Sequence, residues 1–402
     1  MSAWLLPREH LSASQMRAVE LAADWHIVIA GGTGSGKTQV ILHRAKYLAK
    51  KLGVPPERFR VVVFASTLRR YLRAACPLID LPPECVVTFR DLCIEYYKAH
   101  INKNMSRVSY GIGTMPRMDF WGTRPDVESH AFRSLAPTYD FLVVDEGQDL
   151  DLNAFYLFRA LARHITVTID HRQQIYPGRA SETEILAALE LHERSMTLPG
   201  CYRCSSHIMK LAAAVLEDPT DRQEFLSHSR AATQDRETPL IHFADPFNYT
   251  DHLACTIRER QLAGDSIGVI VPAQRHLHKV ARNLWHKGID IETGENWDFT
   301  SARPKLLTYH GCKGITFDTV CLPYLEDAPI WDPLIDDFPR FLFLAITRAT
   351  RWVYISSKRF FPLPIVESLL PLEKDGILTV QDFIKRPIKK PEPPKENPLD
   401  FL

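Results

Sequence analysis

Short runs of consecutive apolar residues punctuate the first half of the chain. They are Trp25-His26-Ile27-Val28-Ile29-Ala30, Arg60-Val61-Val62-Val63-Phe64-Ala65, Asp140-Phe141-Leu142-Val143-Val144-Asp145 and Ile165-Thr166-Val167-Thr168-Ile169-Asp170. Their apolar residues follow one another without alternation and are rich in β-branched side chains. That is what a strand needs when helices cover both of its faces, and it predicts a parallel sheet. Helical stretches are expected between them at 37–52, 68–75 and 153–164. Strand, helix and strand in repeated order is the α/β pattern.

The second half repeats the theme. Strands are expected at Ile267-Gly268-Val269-Ile270-Val271, Lys305-Leu306-Leu307-Thr308, Thr319-Val320-Cys321-Leu322 and Trp352-Val353-Tyr354-Ile355, with helices at 205–217, 247–263, 274–287 and 339–349. The chain therefore divides into two α/β lobes, 1–198 and 199–385, with the boundary at Leu198-Pro199-Gly200. Residues 98–138 are polar, broken by Gly and Pro, and read as a short insertion that fits neither lobe; Phe120 and Trp121 stand out in it. Residues 386–402 are Pro- and Lys-rich and read as an extended, disordered tail.

Composition narrows the picture. The 402 residues are 45% hydrophobic and 24% charged, which excludes a wholly disordered chain, a collagen and a small disulfide scaffold. Lys+Arg number 49 and Asp+Glu 48, so any nucleic-acid footprint must be local rather than a bulk charge effect. The eight cysteines mostly sit in apolar stretches and read as buried free thiols; Cys201 and Cys204 have C-x-x-C spacing without a second pair nearby. The chain has no apolar run long enough for a membrane helix and no signal-peptide pattern, so a cytoplasmic protein is expected. Arg275-His276-Leu277-His278 has poor metal-ligand spacing and reads as surface.

The chemistry begins at Gly31-Gly32-Thr33-Gly34-Ser35-Gly36-Lys37-Thr38, which follows the first strand and opens the first helix. This satisfies G-x-x-x-x-G-K-[ST] in the context that the motif requires. Backbone N–H groups of Gly32, Thr33, Gly34, Ser35 and Gly36 would turn onto phosphates, with the helix N-terminus adding its positive dipole end. Lys37 would supply charge to the β- and γ-phosphates and Thr38 a hydroxyl to Mg²⁺. At the end of the third strand stands Asp145-Glu146-Gly147-Gln148-Asp149. Hydrolysis of a nucleoside triphosphate needs one carboxylate on the metal and a second, off the metal, to polarise water. Asp145 and Glu146 suit those two roles.

Asp-Glu-Gly-Gln-Asp resembles the second motif, D-E-x-Q-D, of superfamily 1 helicases of the UvrD/Rep/PcrA type, and further motifs follow in order. The resemblance spans about residues 11–355 and implies two RecA-like lobes with ATP in the cleft between them. By resemblance, Gln15 reads adenine, Tyr202 stacks on it, and Gln173, Arg203 and Arg348 reach the γ-phosphate. Phe64 in the segment Phe64 to Leu72, Thr88-Phe89, Arg179 and His310 in Thr308-Tyr309-His310-Gly311-Cys312-Lys313-Gly314 would contact single-stranded nucleic acid, DNA before RNA. Three positions depart from the pattern: Ile169 replaces a Gly, Gly178 a base-stacking Trp and Thr316 a ribose-reaching Glu. The family's two large insertions are reduced or missing.

The resulting expectation is an ATP- and Mg²⁺-dependent DNA helicase or single-strand translocase, with 3′–5′ polarity implied by the resemblance alone. The alternative is a nucleotide-gated subunit that regulates a partner nuclease or a replication, repair or defence protein. The tail, ending Pro398-Leu399-Asp400-Phe401-Leu402, is a docking segment on that reading. A small-molecule kinase explains neither Asp145–Asp149 nor the motifs beyond residue 300.

Overall fold

The computed structural model describes residues 5–102, 107–108, 117–118, 120–134, 136–174, 178–200, 204–228, 237–244, 249–293, 297–299, 301–323, 325–327, 338–358 and 362–382. Two parallel sheets organise it. The first contains β1 (Ile27–Gly31), β2 (Phe59–Val63) and β3 (Val86–Thr88). A two-stranded hairpin follows, β4 (Arg107–Val108) with β5 (Arg117–Met118), and the sheet is completed by β6 (Tyr139–Val144), β7 (Ala162–Ile169) and β8 (Met196–Leu198). Its strand order is β3-β2-β6-β7-β1-β8. The second sheet contains β9 (Leu240–Ala244), β10 (Ile267–Val271), β11 (Glu292–Thr293), β12 (Lys305–Thr308), β13 (Phe317–Leu322), β14 (Ala349–Lys358) and β15 (Thr379–Asp382), in the order β11-β12-β10-β13-β14-β9-β15. This is a mixed α/β architecture of two RecA-like lobes.

Alternate residues along each central strand enter different cores. Val61, Val63, Phe141 and Val143 face one way, while Val62, Leu142 and Val144 face the other. Ile270, Leu307, Val320 and Val353 of the second sheet join the first of these cores, and Val269, Leu306, Cys321 and Tyr354 form a separate outer one. One apolar core thus runs from the inner face of one sheet to the inner face of the other. Both faces of every central strand are covered, which is why their sequences do not alternate.

The edge strands β3, β8, β11 and β15, with β9 between β14 and β15, add to the eight sheet strands read from the sequence. Residues 98–138 correct the expectation of an irregular insertion outside both lobes. They include the helix Phe120–Arg133, whose Val127 and Ala131 are buried in the core of the first lobe. Arg124 ties this helix down: it donates to both Asp151 carboxylate oxygens at 2.7 and 2.6 Å and lies over the Phe89 ring. His276 is also buried, against its reading as surface. Cys76, Cys85, Cys93, Cys204, Cys312 and Cys321 are buried free thiols, and Cys255 is exposed. The tail 386–402 and Cys201 lie outside the described residues.

Candidate functional site

β1 ends at Gly31, and the helix Lys37–Leu52 begins six residues later with Gly36 as its N-cap. Gly34 and Gly36 have φ of 78° and 87°, the left-handed region that side-chain-bearing residues avoid. A Cβ on Gly36 would lie 2.2 Å from the Gln15 amide nitrogen, so the tight loop requires glycine there on two counts. The Thr33 and Ser35 hydroxyls are buried without a hydrogen-bond partner among the described residues. Buried polar atoms are normally satisfied, and these two suit a loop built to take an anion.

Lys37 is buried and turned into the loop. Its ammonium donates to the Gly31 carbonyl at 2.8 Å and stands 3.5 Å from Asp170 Oδ2. Thr38 Oγ1 donates to Asp145 Oδ2 at 2.8 Å, and Thr168 Oγ1 donates to Asp145 Oδ1 at 2.7 Å. A hydroxyl and a carboxylate converging in this way form the hard oxygen set that suits Mg²⁺. Glu146 follows in the left-handed conformation, φ 53°, which turns the chain sharply away from β6. Its carboxylate accepts from the Gln148 amide at 2.5 Å.

The two neighbouring carboxylates are driven apart. Burial, and then the Glu146 charge, push Asp145 above the usual carboxylate range. Burial also works upward on Glu146, but the Lys37 and Lys313 ammonium groups and the Gln148 amide outweigh it and hold Glu146 low. Glu146 is therefore the ionised partner, the state a water-polarising base needs.

The second lobe closes the cleft. Arg348 is buried at the end of the helix Phe338–Ile346, and its guanidinium donates to Gln173 Oε1 at 2.9 Å and to the Leu344 carbonyl at 3.1 Å. Gln173 in turn donates to Asp170 Oδ2 at 2.6 Å. Gly34, Gly36, Lys37, Thr38, Glu146 and Gln173 of the first lobe line one cleft with Gly314 and Arg348 of the second. The motifs place all of these at the nucleotide except Gly314, which they place in the strand-contacting segment Thr308 to Gly314.

Other expected residues sit differently. Gln15 Oε1 accepts the Ser12 N–H and its amide donates to the Ser35 carbonyl at 3.0 Å, so it buttresses the phosphate loop. Thr88 caps the helix Phe89–His100 in a reciprocal box with Asp91. The Phe89 ring is buried edge-on against Phe158. Phe64 is partly exposed beneath the Arg179 guanidinium, and His310 rests on Phe341. Tyr202 and Arg203 lie outside the described residues. Sequence reading put Lys313 on a strand-facing motif, but its ammonium points inward, 2.7 Å from Asp149 Oδ1 and 2.5 Å from the Gln173 carbonyl. Thr168 reads in the sequence only as a strand residue; its place one residue before the end of β7 is the signal for its part in the site.

Residues 15–179 match the family described as an AAA domain. The chain is similar to "Probable DNA helicase" of Mycoplasma pneumoniae, 21% identical over 454 aligned positions that span 87% of this chain and 83% of that one. It is also similar to "Putative ATP-dependent DNA helicase YjcD" of Bacillus subtilis, 36% identical over 62 residues, 15% of this chain and 8% of the relative. Among solved structures it matches the C-terminal domain of a "possible DNA helicase" from Lactobacillus strain WCFS1, with 13% identity, 44% of this chain and 98% of that one covered, and a TM-score of 0.35. No helix among the described residues is long and apolar enough to cross a membrane. The chain is a P-loop α/β protein whose sequence is DNA-helicase-like.

Proposed function

We propose that the chain is a nucleic-acid-stimulated ATPase, a compact DNA helicase or single-strand translocase of the UvrD type moving 3′ to 5′. The observation that carries this reading is the cleft itself, where Arg348 of the second lobe meets Gln173 of the first beside the phosphate loop. A triphosphate held there touches both lobes, so its binding and loss are linked to their closure and opening. The lobes are assigned to 1–198 and 199–385.

In this reading the loop 31–38 and Lys37 hold the phosphates, and Thr38 and Asp145 would hold Mg²⁺. Bound there, the ion neutralises phosphate charge. Glu146 orients and polarises the attacking water, and Gln173 fixes the γ-phosphate. Arg203 and Arg348 meet the charge that develops in the transition state, a contribution on the order of 10³-fold or more for such arginines. Gln15 and Tyr202 face the base. Phe64, Thr88, Phe89, Arg179 and His310 are the strand contacts. Phe89 would act through its backbone, since its ring is buried.

ATP hydrolysis with and without single-stranded DNA tests this. Stimulation of about tenfold or more is expected. Glu146→Gln should abolish turnover while leaving nucleotide binding intact, a loss of about 10²–10⁴-fold. Turnover indifferent to DNA and RNA would overturn the motor and favour a nucleotide-gated subunit acting on a partner protein.

A further inference from the structure

Arg44 is 0% exposed, and each of its hydrogen-bond acceptors is neutral. Its Nε donates to Thr166 Oγ1 at 2.7 Å and Nη2 meets His164 Nε2 at 3.1 Å. Nη1 donates to the carbonyls of Val19 at 3.0 Å and Leu21 at 2.9 Å, with Ala18 at 3.4 Å. Burial lowers its pKa to about 10, so it remains charged at neutral pH. His164 is no anion: burial and then Arg44 bring it down to about 3. Among the described residues no carboxylate pairs with Arg44; a buried cation without a counter-charge is expensive, and a well-packed apolar side chain would cost less. Packing alone does not account for it.

Its hydrogen bonds show what it holds. Val19 and Leu21 end the helix Ala13–Glu20, where unpaired carbonyls carry the negative end of the helix dipole. Arg44 itself lies seven residues after Lys37, two turns along the same face of the helix that the phosphate loop opens. The other end of Ala13–Glu20 bears Gln15. That side chain is fixed by its capping box with Ser12, donates to the Ser35 carbonyl, and fills the space over Gly36. The short helix is thus clamped to the phosphate-loop helix at one end and to the loop at the other.

We infer that Arg44 is a positioning residue that, through the helix Ala13–Glu20 and Gln15, braces the phosphate loop in its anion-binding shape. The brace acts on the loop rather than on the base of a nucleotide. It rests on the nucleotide-binding reading given above and assigns Gln15 a part beyond facing the base.

Two ligands separate these roles: ATP, and inorganic tripolyphosphate, which has no base. Arg44→Lys keeps the charge but not the five-donor fork. Its affinity for both ligands should fall by the same factor, about tenfold, equivalent to about 1.4 kcal/mol, measured well below its melting temperature. Gln15→Ala should weaken tripolyphosphate as Arg44→Lys does, and ATP at least as much, because it also loses its place at the base. The double variant should bind no worse than the weaker single one, because the two substitutions break one brace. A merely structural Arg44 lowers the melting temperature and leaves both affinities unchanged, which overturns the inference. Loss confined to ATP also overturns it, because that places the effect at the base. Should Arg44→Lys not fold, Thr166→Val removes the acceptor of Nε, together with the hydroxyl's bond to His164 Nε2 at 2.9 Å, and should shift both ligands together, by about threefold or more, on the scale of one or two hydrogen bonds; no shift overturns the brace. A wild-type protein that binds neither ligand fails the nucleotide reading itself, a separate result.

Discussion

Lys313 and Asp149 meet with side chains only 3% and 0% exposed, and each comes from a different lobe. Burial raises the Asp149 carboxyl to about 7, although Lys313 pulls it down. Its ordinary value is 3.8, so between about pH 4 and pH 7 the folded chain binds a proton there that the unfolded chain has released. The contribution of this group to stability is present below that window and declines as pH rises through it. Lys313→Met leaves a carboxylate with no ammonium beside it, at a cost of about 3–5 kcal/mol wherever it must ionise. Melting temperatures of the variant and wild type should therefore lie close together at pH 5 and separate widely at pH 8. Equal separation at both would show that the pair does not govern the titration. Asp149 was legible as part of an acidic motif, as was Lys313 in its own. That the two pair across the cleft was not legible, because sequence spacing carries no information on partners 164 residues apart.

The elements that sequence reading found are those whose residues decide their own structure. Continuous apolar runs gave β1, β2, β6 and β7 because burial on both faces leaves no polar position. The helix Lys37–Leu52 emerged with both its bounds, since Gly36 opens it and Gly53 closes it in left-handed conformations. Three-residue edge strands such as β3 and β8 carry too few positions for a period, and their pairing is set by neighbours. The helix Phe120–Arg133 was missed for a related reason: Pro125 and Gly122 break its local signal, and tertiary contacts supply the order instead. Arg124 is the main polar contact, bonded to Asp151 and Glu128. Arg124→Ala takes its two-point partner from the Asp151 carboxylate, which also caps the helix Leu152–Leu161 and, among the described residues, keeps only Arg179 at 3.9 Å as a cation. A loss of about 2 kcal/mol is expected, as for a hydrogen bond to a charged group, read as a lower denaturation midpoint. Unchanged stability would mean that the apolar face holds the helix unaided.

At the scale of the whole molecule, the two lobes meet where the turn His310–Gly314 rests on the helix Ser66–Ala75. Thr67 Oγ1 donates to the Gly311 carbonyl, and Gly314 lies against the buried Leu68. Gly314 has φ 79°, and a Cβ there would stand 2.7 Å from a Leu68 methyl. Gly314→Ala should therefore push the turn off its seat, adding about 1–2 kcal/mol of backbone strain to the steric clash. Displacing this turn also displaces Lys313 and the rim of the cleft. DNA-stimulated turnover should fall by about tenfold, with nucleotide affinity changed much less, because the phosphate loop lies wholly in the other lobe. Leu68→Ala removes the clashing atoms and leaves the strain, so it should restore part of the turnover lost in Gly314→Ala while lowering it slightly in the wild type. That opposite sign in the two backgrounds is the signature of a steric seat between lobes. Additive losses would mean that the two residues act separately and that closure does not depend on their contact.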